Sequence, residues 1–423
     1  MGAVGALRGR AAVQGYPAGG SWDGHGRSKS LSHARRPRRP RTPLALSTVV
    51  RYNLQHSGPV CWLLLRGEVG QGTPDAPWSF QERVPTNMQL DRDQCKRLLV
   101  RYGFADQADR VAVRQLRGGV MNCVFRCSTP RLSVVLKQAQ AYHFAPGVSI
   151  TPRRIVIEYL ALDLLSTWYP EYFPHPLFLN RALHTLGMEA ITEDARLLES
   201  DLLLGTVDTG VAEIVGSIFA NLHSKTRALP HLRVAFANTA TLMAKIYCQC
   251  LCASRSPRIQ SEIVRQLWPA LYRRSCLVHG DICPKNILVE RGRPIFIDLE
   301  EVHFGNPALD VGYLLAHYLL FKLAAPASEA DLYDAAIATF LHHYLSFSEF
   351  PISLDFEHDV VFFVGVFLLS RVDGVARTEW RISARASMLV RALASEVILK
   401  APTSLAQLLD RVGSLSSIRE VKR

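Results

Sequence analysis

The chain lacks an apolar run long enough to span a bilayer. The longest uncharged stretch near the C-terminus, VVFFVGVFLLS over 360–370, has eleven residues, and a spanning helix needs about 20. No membrane partner is expected. A zinc signature is also missing. The nine cysteines are scattered, and in YCQCLC the residues Cys248, Cys250 and Cys252 stand two apart within a helical stretch, which divides them between helix faces. No second CxxC or His pair completes a ligand set, so buried or neutral thiols in a reducing compartment fit this usage.

Acids are nearly absent from the start of the chain, where Asp23 is the only one before residue 51. Residues 1–87 carry twelve Lys/Arg and four Asp/Glu, a net of +8, which leaves +4 of the formal +12 for the other 336 residues. That remainder has no basic–aromatic stripe, so no nucleic-acid partner is expected. The segment is rich in Gly, Pro and Arg, with HARRPRRPRTP at 33–43, and cannot bury enough apolar surface to order itself. It reads as a disordered basic extension, with Met88 as an alternative start. A transit peptide is the second reading, since the segment is Arg-rich and acid-poor, although its Gly and Pro oppose an amphipathic helix. A nucleic-acid arm is the third. Cytoplasmic localisation is expected on the first reading, an organelle on the second.

Over the whole chain 48% of residues are hydrophobic and 20% charged, as in a globular protein. Three regions follow: the extension 1–87, a strand-rich part at 88–190 and a helical part at 191–423. In the second, DRDQCKRLLVRYG predicts a short helix, and VAVRQL, NCVFRCS and LSVVLKQA predict strands. TPRRIVIEYLALDLLSTW at 151–168 has helical apolar spacing behind a Thr-Pro start, and LFLNRAL and TLGMEAI predict two further strands. Long helices are expected at 208–224, 259–273, 307–323, 329–346, 356–370 and 383–399, with strands in this part only around one motif.

That motif is LVHGDICPKNILV at 277–289. CLV predicts a strand, 279–286 a loop, and ILVE and PIFID a hairpin turned by RGR. Asp281 and Asn286 then lie at one end, with Asp298 at the tip of the other strand. Closure brings three oxygen-bearing side chains together, and a small set of hard oxygen ligands suits Mg²⁺ shared with phosphates. Phosphoryl transfer uses such a set: one carboxylate orients the acceptor hydroxyl while an amide and a second carboxylate hold the metal. A lone His-Gly-Asp is usually just a turn; the joint pattern H-G-D-x4-N, then I-D twelve residues beyond the Asn, is far harder to reach by chance.

At these residues the chain resembles the kinase-like phosphotransferases. HGDICPKN and IDLE stand where protein kinases carry H-R-D-x4-N and D-F-G, in the version found in aminoglycoside phosphotransferases, choline kinases and methylthioribose kinases. The resemblance to the broad aminoglycoside phosphotransferase family covers about residues 100–395. It implies an α+β, bilobal protein kinase-like fold with a strand-rich N-lobe and a mostly helical C-lobe. It implies ATP as phosphoryl donor, with Gly118 and Gly119 at the phosphates, Lys137 paired with Glu158, and backbone around Glu189 and Ile191 meeting adenine. Asp281 is then the catalytic carboxylate, Asn286 and Asp298 hold Mg²⁺, and Glu300 adds a carboxylate beside it. His279 and Asp310 are implied to brace the loop.

Only twelve residues separate Asp298 from Asp310, too few for the activation loop and A-P-E of protein kinases. The expected partner is therefore a small hydroxylated acceptor. Residues 199–423 hold 23 Lys/Arg and 23 Asp/Glu, without the acidic excess that polycationic aminoglycosides would favour. A choline-type acceptor would use an aromatic cage, for which Trp380, Tyr313 and Tyr318 are candidates. The alternative to an enzyme is a kinase-fold binding protein that has lost catalysis, but Lys137, Asp281, Asn286 and Asp298 are all present.

Overall fold

A computed structural model describes residues 89–116, 121–145, 148–375, 377–378, 380, 382–400 and 404–417, all within one compact unit. The basic extension and the Gly118-Gly119 pair lie outside the described residues. Helix α1 (Arg92–Arg101) starts where the sequence supplies a reciprocal cap: Asp91 accepts from the Gln94 amide at 2.7 Å, and the Gln94 side chain accepts from the Asp91 amide at 3.0 Å. Strands β1 (Ala112–Gln115), β2 (Asn122–Ser128) and β3 (Ser133–Ala139) follow the expected register of alternation. A hairpin of β4 (Tyr142–Ala145) and β5 (Val148–Ile150), unforeseen from the sequence, precedes helix α2 (Arg154–Trp168). Strands β6 (Pro176–Asn180) and β7 (Thr185–Glu189) complete an antiparallel five-stranded sheet ordered β1-β2-β3-β7-β6. Cys123, Phe125 and Cys127 alternate inward from β2 and meet Leu98, Leu99, Leu136 and Phe178 in a small core of their own.

The second part is mostly helical. After β8 (Arg196–Leu197) come α3 (Leu198–Leu203), α4 (Thr209–Arg227), α5 (Leu232–Ala235), α6 (Thr239–Lys245) and α7 (Pro257–Tyr272). The central motif supplies β9 (Cys276–Val278), β10 (Ile287–Glu290), β11 (Arg293–Phe296) and β12 (His303–Gly305). Helices α8 (Ala308–Ala324), α9 (Ala330–Phe347), α10 (Leu354–Val372), α11 (Ala384–Lys400) and α12 (Leu405–Ser417) finish the chain. α8 and α10 are apolar around almost their whole circumference and form the centre of a large core, as an all-round hydrophobic helix must. None of the described helices is long and apolar enough to cross a membrane. The architecture is α+β, with a five-stranded antiparallel sheet in the first part and helices in the second.

Two expectations need correction. The hairpin at the motif is not the only strand structure in the helical part. β10 also pairs with β8 through Leu288 and Leu197, and β9 pairs with β12 rather than joining the hairpin, with Val278 opposite His303. Strands of two or three residues are too short to show a period of two. The long helices sit within a few residues of their expected bounds, whereas the short helices α3, α5 and α6 and the terminal α12 had no counterpart among the helices expected from the sequence.

Candidate active site

β9 runs straight into His279-Gly280-Asp281. Gly280 takes φ +82°, and a Cβ there would lie 2.5 Å from the Glu301 carbonyl oxygen, so only glycine fits the turn. Asp310, in the first turn of α8, accepts from the amides of His279 at 2.7 Å and Gly280 at 2.9 Å, and its Oδ2 lies 3.2 Å from His223 Nε2. Burial would raise its carboxyl, but the bond and charge of His223, the charge of His279 and the Gly280 amide together hold it low. His279 turns its Nδ1 back to the Asp281 amide at 3.3 Å. The loop is thus fixed from both sides, with His279 and Asp310 as braces.

Asp281 is buried. Its Oδ2 accepts from Asn286 Nδ2 at 2.8 Å, and the same amide reaches the Asp281 carbonyl at 2.9 Å. The β10–β11 hairpin pairs Ile287 with Phe296, so Asn286 and Asp298 emerge at the same end, and Ile297 N donates to the Asn286 carbonyl at 3.0 Å. Asp298 adopts φ +65° and ψ +60°. A left-handed aspartate held against its intrinsic preference is the kind of strain that collects at functional positions.

Lys137 arrives from β3 and closes the other half. Its Nζ lies 2.7 Å from Glu158 of α2, 2.5 Å from Asp298 and 3.6 Å from Glu300. Burial opposes its charge, but the three carboxylates keep the ammonium raised above its ordinary value. Burial pushes the Glu158 carboxyl up to about 7, with Lys137 opposing and the charges of Asp298 and Glu300 adding to the rise. One lysine therefore serves three acids. Oxygens of Glu158, Asp298 and Glu300 lie within 4.8 Å of one another, a hard donor set of net negative charge that fits a divalent cation. Glu300 Oε2 also accepts from Arg154 Nε at 2.9 Å and Asn122 Nδ2 at 3.0 Å. Arg154 in turn donates to the Met121 and Gln140 carbonyls, both at 2.7 Å, tying α2 to the sheet.

The expected residues Lys137, Glu158, Asp298 and Glu300 are thus brought together, with Asp281 and Asn286 adjoining. At the expected adenine edge, the Glu189 amide donates to the His175 carbonyl at 2.9 Å, and the Ile191 carbonyl accepts from Arg126 at 2.6 Å, so those two groups are already engaged.

Sequence reasoning missed the surroundings of Asp281. Lys245, buried at the end of α6, lies 2.8 Å from Asp281 Oδ1 and 2.8 Å from Glu301 Oε2. The chain then continues as a π-helical turn (Ile246–Leu251), a winding common near functional sites. Burial would raise the Asp281 carboxyl, but Lys245 and Lys285 hold it far below its ordinary range. Burial pushes the Glu301 carboxyl up to about 8 against the pull of Lys245. Tyr313 lies beneath, with Lys245 Nζ 4.4 Å and Arg371 Cζ 5.3 Å from its ring centre. The aromatic trio does not make a cage. Trp380 stacks on Phe321 with centroids 5.1 Å apart, and Tyr318 is buried in the core.

Residues 205–347 match the sequence model described as "Phosphotransferase enzyme family". The matched segment is about a third of the chain. The match takes in the Asp281 loop, Asn286, Asp298 and Asp310. Among curated relatives, this chain is 22% identical over 265 residues to a methylthioribose kinase of Geobacillus sp. (strain WCH70), covering 55% of this chain and 66% of that one. It is 23% identical over 271 residues to the methylthioribose kinase of Geobacillus thermodenitrificans (strain NG80-2), covering 57% and 68%. The alignments therefore span about two thirds of the relatives' length. Among solved structures, a choline/ethanolamine kinase family protein from Mesorhizobium loti is similar at 15% identity and TM-score 0.42, covering 76% of this chain and 94% of that one. An amicoumacin kinase in complex with AMP-PNP, Ca²⁺ and Ami is similar at 13% identity and TM-score 0.46, covering 76% and 97%.

Proposed function

We propose that this chain is an ATP- and Mg²⁺-dependent kinase that phosphorylates a hydroxyl group of a small molecule. The observation that carries this reading is the Lys137–Glu158–Asp298 cluster standing beside Asp281 on a braced loop. Lys137, fixed by Glu158, positions the α/β-phosphates of ATP. Asn286 and Asp298 would hold Mg²⁺, with Glu300 as a further carboxylate beside them. A bound Mg²⁺ supplies charge neutralisation on the phosphates. Backbone groups near Glu189 and Ile191 not already engaged, and the Gly118-Gly119 segment, are assigned to adenine and the phosphates.

Asp281 orients the acceptor hydroxyl. Because Lys245 and Lys285 hold it ionised, it can accept the hydroxyl proton late, as the acceptor oxygen bonds to the γ-phosphorus and the bond to the ADP oxygen breaks. A group used this way stabilises the transition state more than bound nucleotide. Asp281→Asn should therefore lower kcat for ADP release by on the order of 10²–10⁴, with nucleotide affinity little changed. A folded variant with near wild-type kcat, or one that has lost nucleotide binding, would refute the role. Steady-state kinetics and nucleotide titration decide between them.

A further inference from the structure

The two sides of Asp281 differ in charge. Towards Lys137 the cluster holds two cations, Lys137 and Arg154, and three acids, Glu158, Asp298 and Glu300. Towards α8 and α10 the balance reverses. Lys245, Lys285 and Arg371 all act on Asp281 as positive charges, against Asp281 itself and Glu301.

These cations differ in commitment. Lys245 is held between the two acids. Arg371, buried at the end of α10, donates to the Tyr313 hydroxyl and lies over that ring. Lys285 sits in the short turn Pro284–Asn286, between Asp281 and Asn286. Its side chain is exposed and makes no hydrogen bond or ion pair among the described residues, and Asp281 is its strongest electrostatic influence. One turn beyond Tyr313 on α8, His317 packs edge-on to it at 5.1 Å. The His317 Nε2 is buried, at 6% residue exposure, with no hydrogen-bond partner among the described residues. Burial and then Arg371 keep this imidazole neutral, so it offers a hydrogen bond without changing the charge. A buried polar nitrogen lacking a partner costs free energy, which a bound polar group would offset.

We propose that the acceptor is a hydroxylated anion, whose carboxylate or phosphate group is held by Lys285 with Arg371 behind it while its hydroxyl faces Asp281. This rests on the kinase reading above and adds the substrate class. The acceptor oxygen–phosphorus bond forms as the γ-phosphorus–oxygen bond of ATP breaks, ADP leaves, and the hydroxyl proton passes to Asp281 and then to water. Cationic acceptors such as choline or polyamino sugars would meet like charge here, which is a strong source of discrimination.

The test uses the full chain saturated with AMP-PNP and Mg²⁺, so that added anions cannot enter the nucleotide site. At constant ionic strength, thermal unfolding is followed with glycerol, choline, glycerate and glycerol 3-phosphate. Glycerate or glycerol 3-phosphate should raise Tm by about 2 °C or more at saturating millimolar concentration, and which of them does so separates a carboxylate site from a phosphate site. Glycerol and choline should do nothing. Lys285→Glu, at an exposed position, should remove the anion shift while the shift caused by AMP-PNP persists. If AMP-PNP gives no shift in the wild-type chain, the kinase reading itself falls. If AMP-PNP shifts Tm but neither anion does, or choline does so equally, or Lys285→Glu keeps the anion shift, the substrate class proposed here is wrong.

Discussion

Replacing Lys245 with methionine tests whether Asp281 is kept ionised by one buried neighbour. Methionine retains much of the stem volume and removes only the ammonium. Two buried carboxylates, Asp281 and Glu301, each 2.8 Å from Lys245 Nζ, are then left facing each other. Removing one partner of a buried pair costs about 3–5 kcal/mol. The effect on Asp281 itself follows from Coulomb's law. At 2.8 Å and an effective dielectric of about 20, the lost attraction is about 6 kcal/mol, so a proton would bind Asp281 up to ~10⁴-fold more tightly. In the wild type the carboxyl lies below its unfolded value, so its contribution to stability is present above the ordinary carboxylate range and is lost only in strong acid. In Lys245→Met that contribution vanishes, and the acid unfolding midpoint and the acid limb of ADP release should both move to higher pH. Urea unfolding against pH reads the first and initial rates against pH the second. Lys245→Met/Glu301→Leu removes the surplus carboxylate and should recover much of the stability without restoring the acid limb. A folded Lys245→Met with both profiles unchanged would refute the electrostatic role.

Gly280→Ala should destabilise the chain by at least about 1–3 kcal/mol and abolish turnover, because the new Cβ would meet the Glu301 carbonyl at 2.5 Å in a left-handed turn. Wild-type stability with intact ADP release would contradict this, and denaturant titration measures it. Glu301→Gln should flatten the pH dependence of stability. The folded carboxyl sits at about 8 against an ordinary 4.5, so the folded state holds more protons and stability falls as pH rises through that window, by at most about 1.4 kcal/mol per pH unit. An unchanged slope between pH 5 and 8 would show that Glu301 is already ionised there.

The reactive half of the site was legible in the sequence because its chemistry is compressed into short spacings. His279 to Asn286 spans one loop, and the hairpin turn at 291–292 carries Asp298 back to that loop's end. Lys137 and Glu158 were legible only as a pair set by resemblance, and the structure joins them at 2.7 Å. Lys245 left no such trace. It lies 36 residues before Asp281, at the end of a separate helix, and nothing in TLMAKIYCQC marks it as turned inward. Arg154 stood out only as part of an Arg-rich helix start. Its role depends on carbonyls of Met121 and Gln140, which no side-chain pattern records. Asp298's left-handed backbone was equally invisible, since propensity places aspartate in many conformations and only the surrounding hairpin selects this one.

The same loop makes sense of the contrast between the halves. A nucleotide brings much negative charge, and a divalent cation offsets it, so an acid-rich cluster around one lysine suits the donor side. On the proposed reading, the acceptor side relies on cations of the chain, and they are placed around Asp281 rather than around a cleft of carboxylates. Lys245 contributes twice in this arrangement, holding Asp281 ionised and restraining Glu301, whose carbonyl lies close against Gly280. Under the proposed reading, the positive surroundings that suit an anionic acceptor are the same ones that keep Asp281 ionised: Lys245→Met should shift the acid limb, and Lys285→Glu, which removes the second cation acting on Asp281, should shift both the acid limb and the choice of ligand.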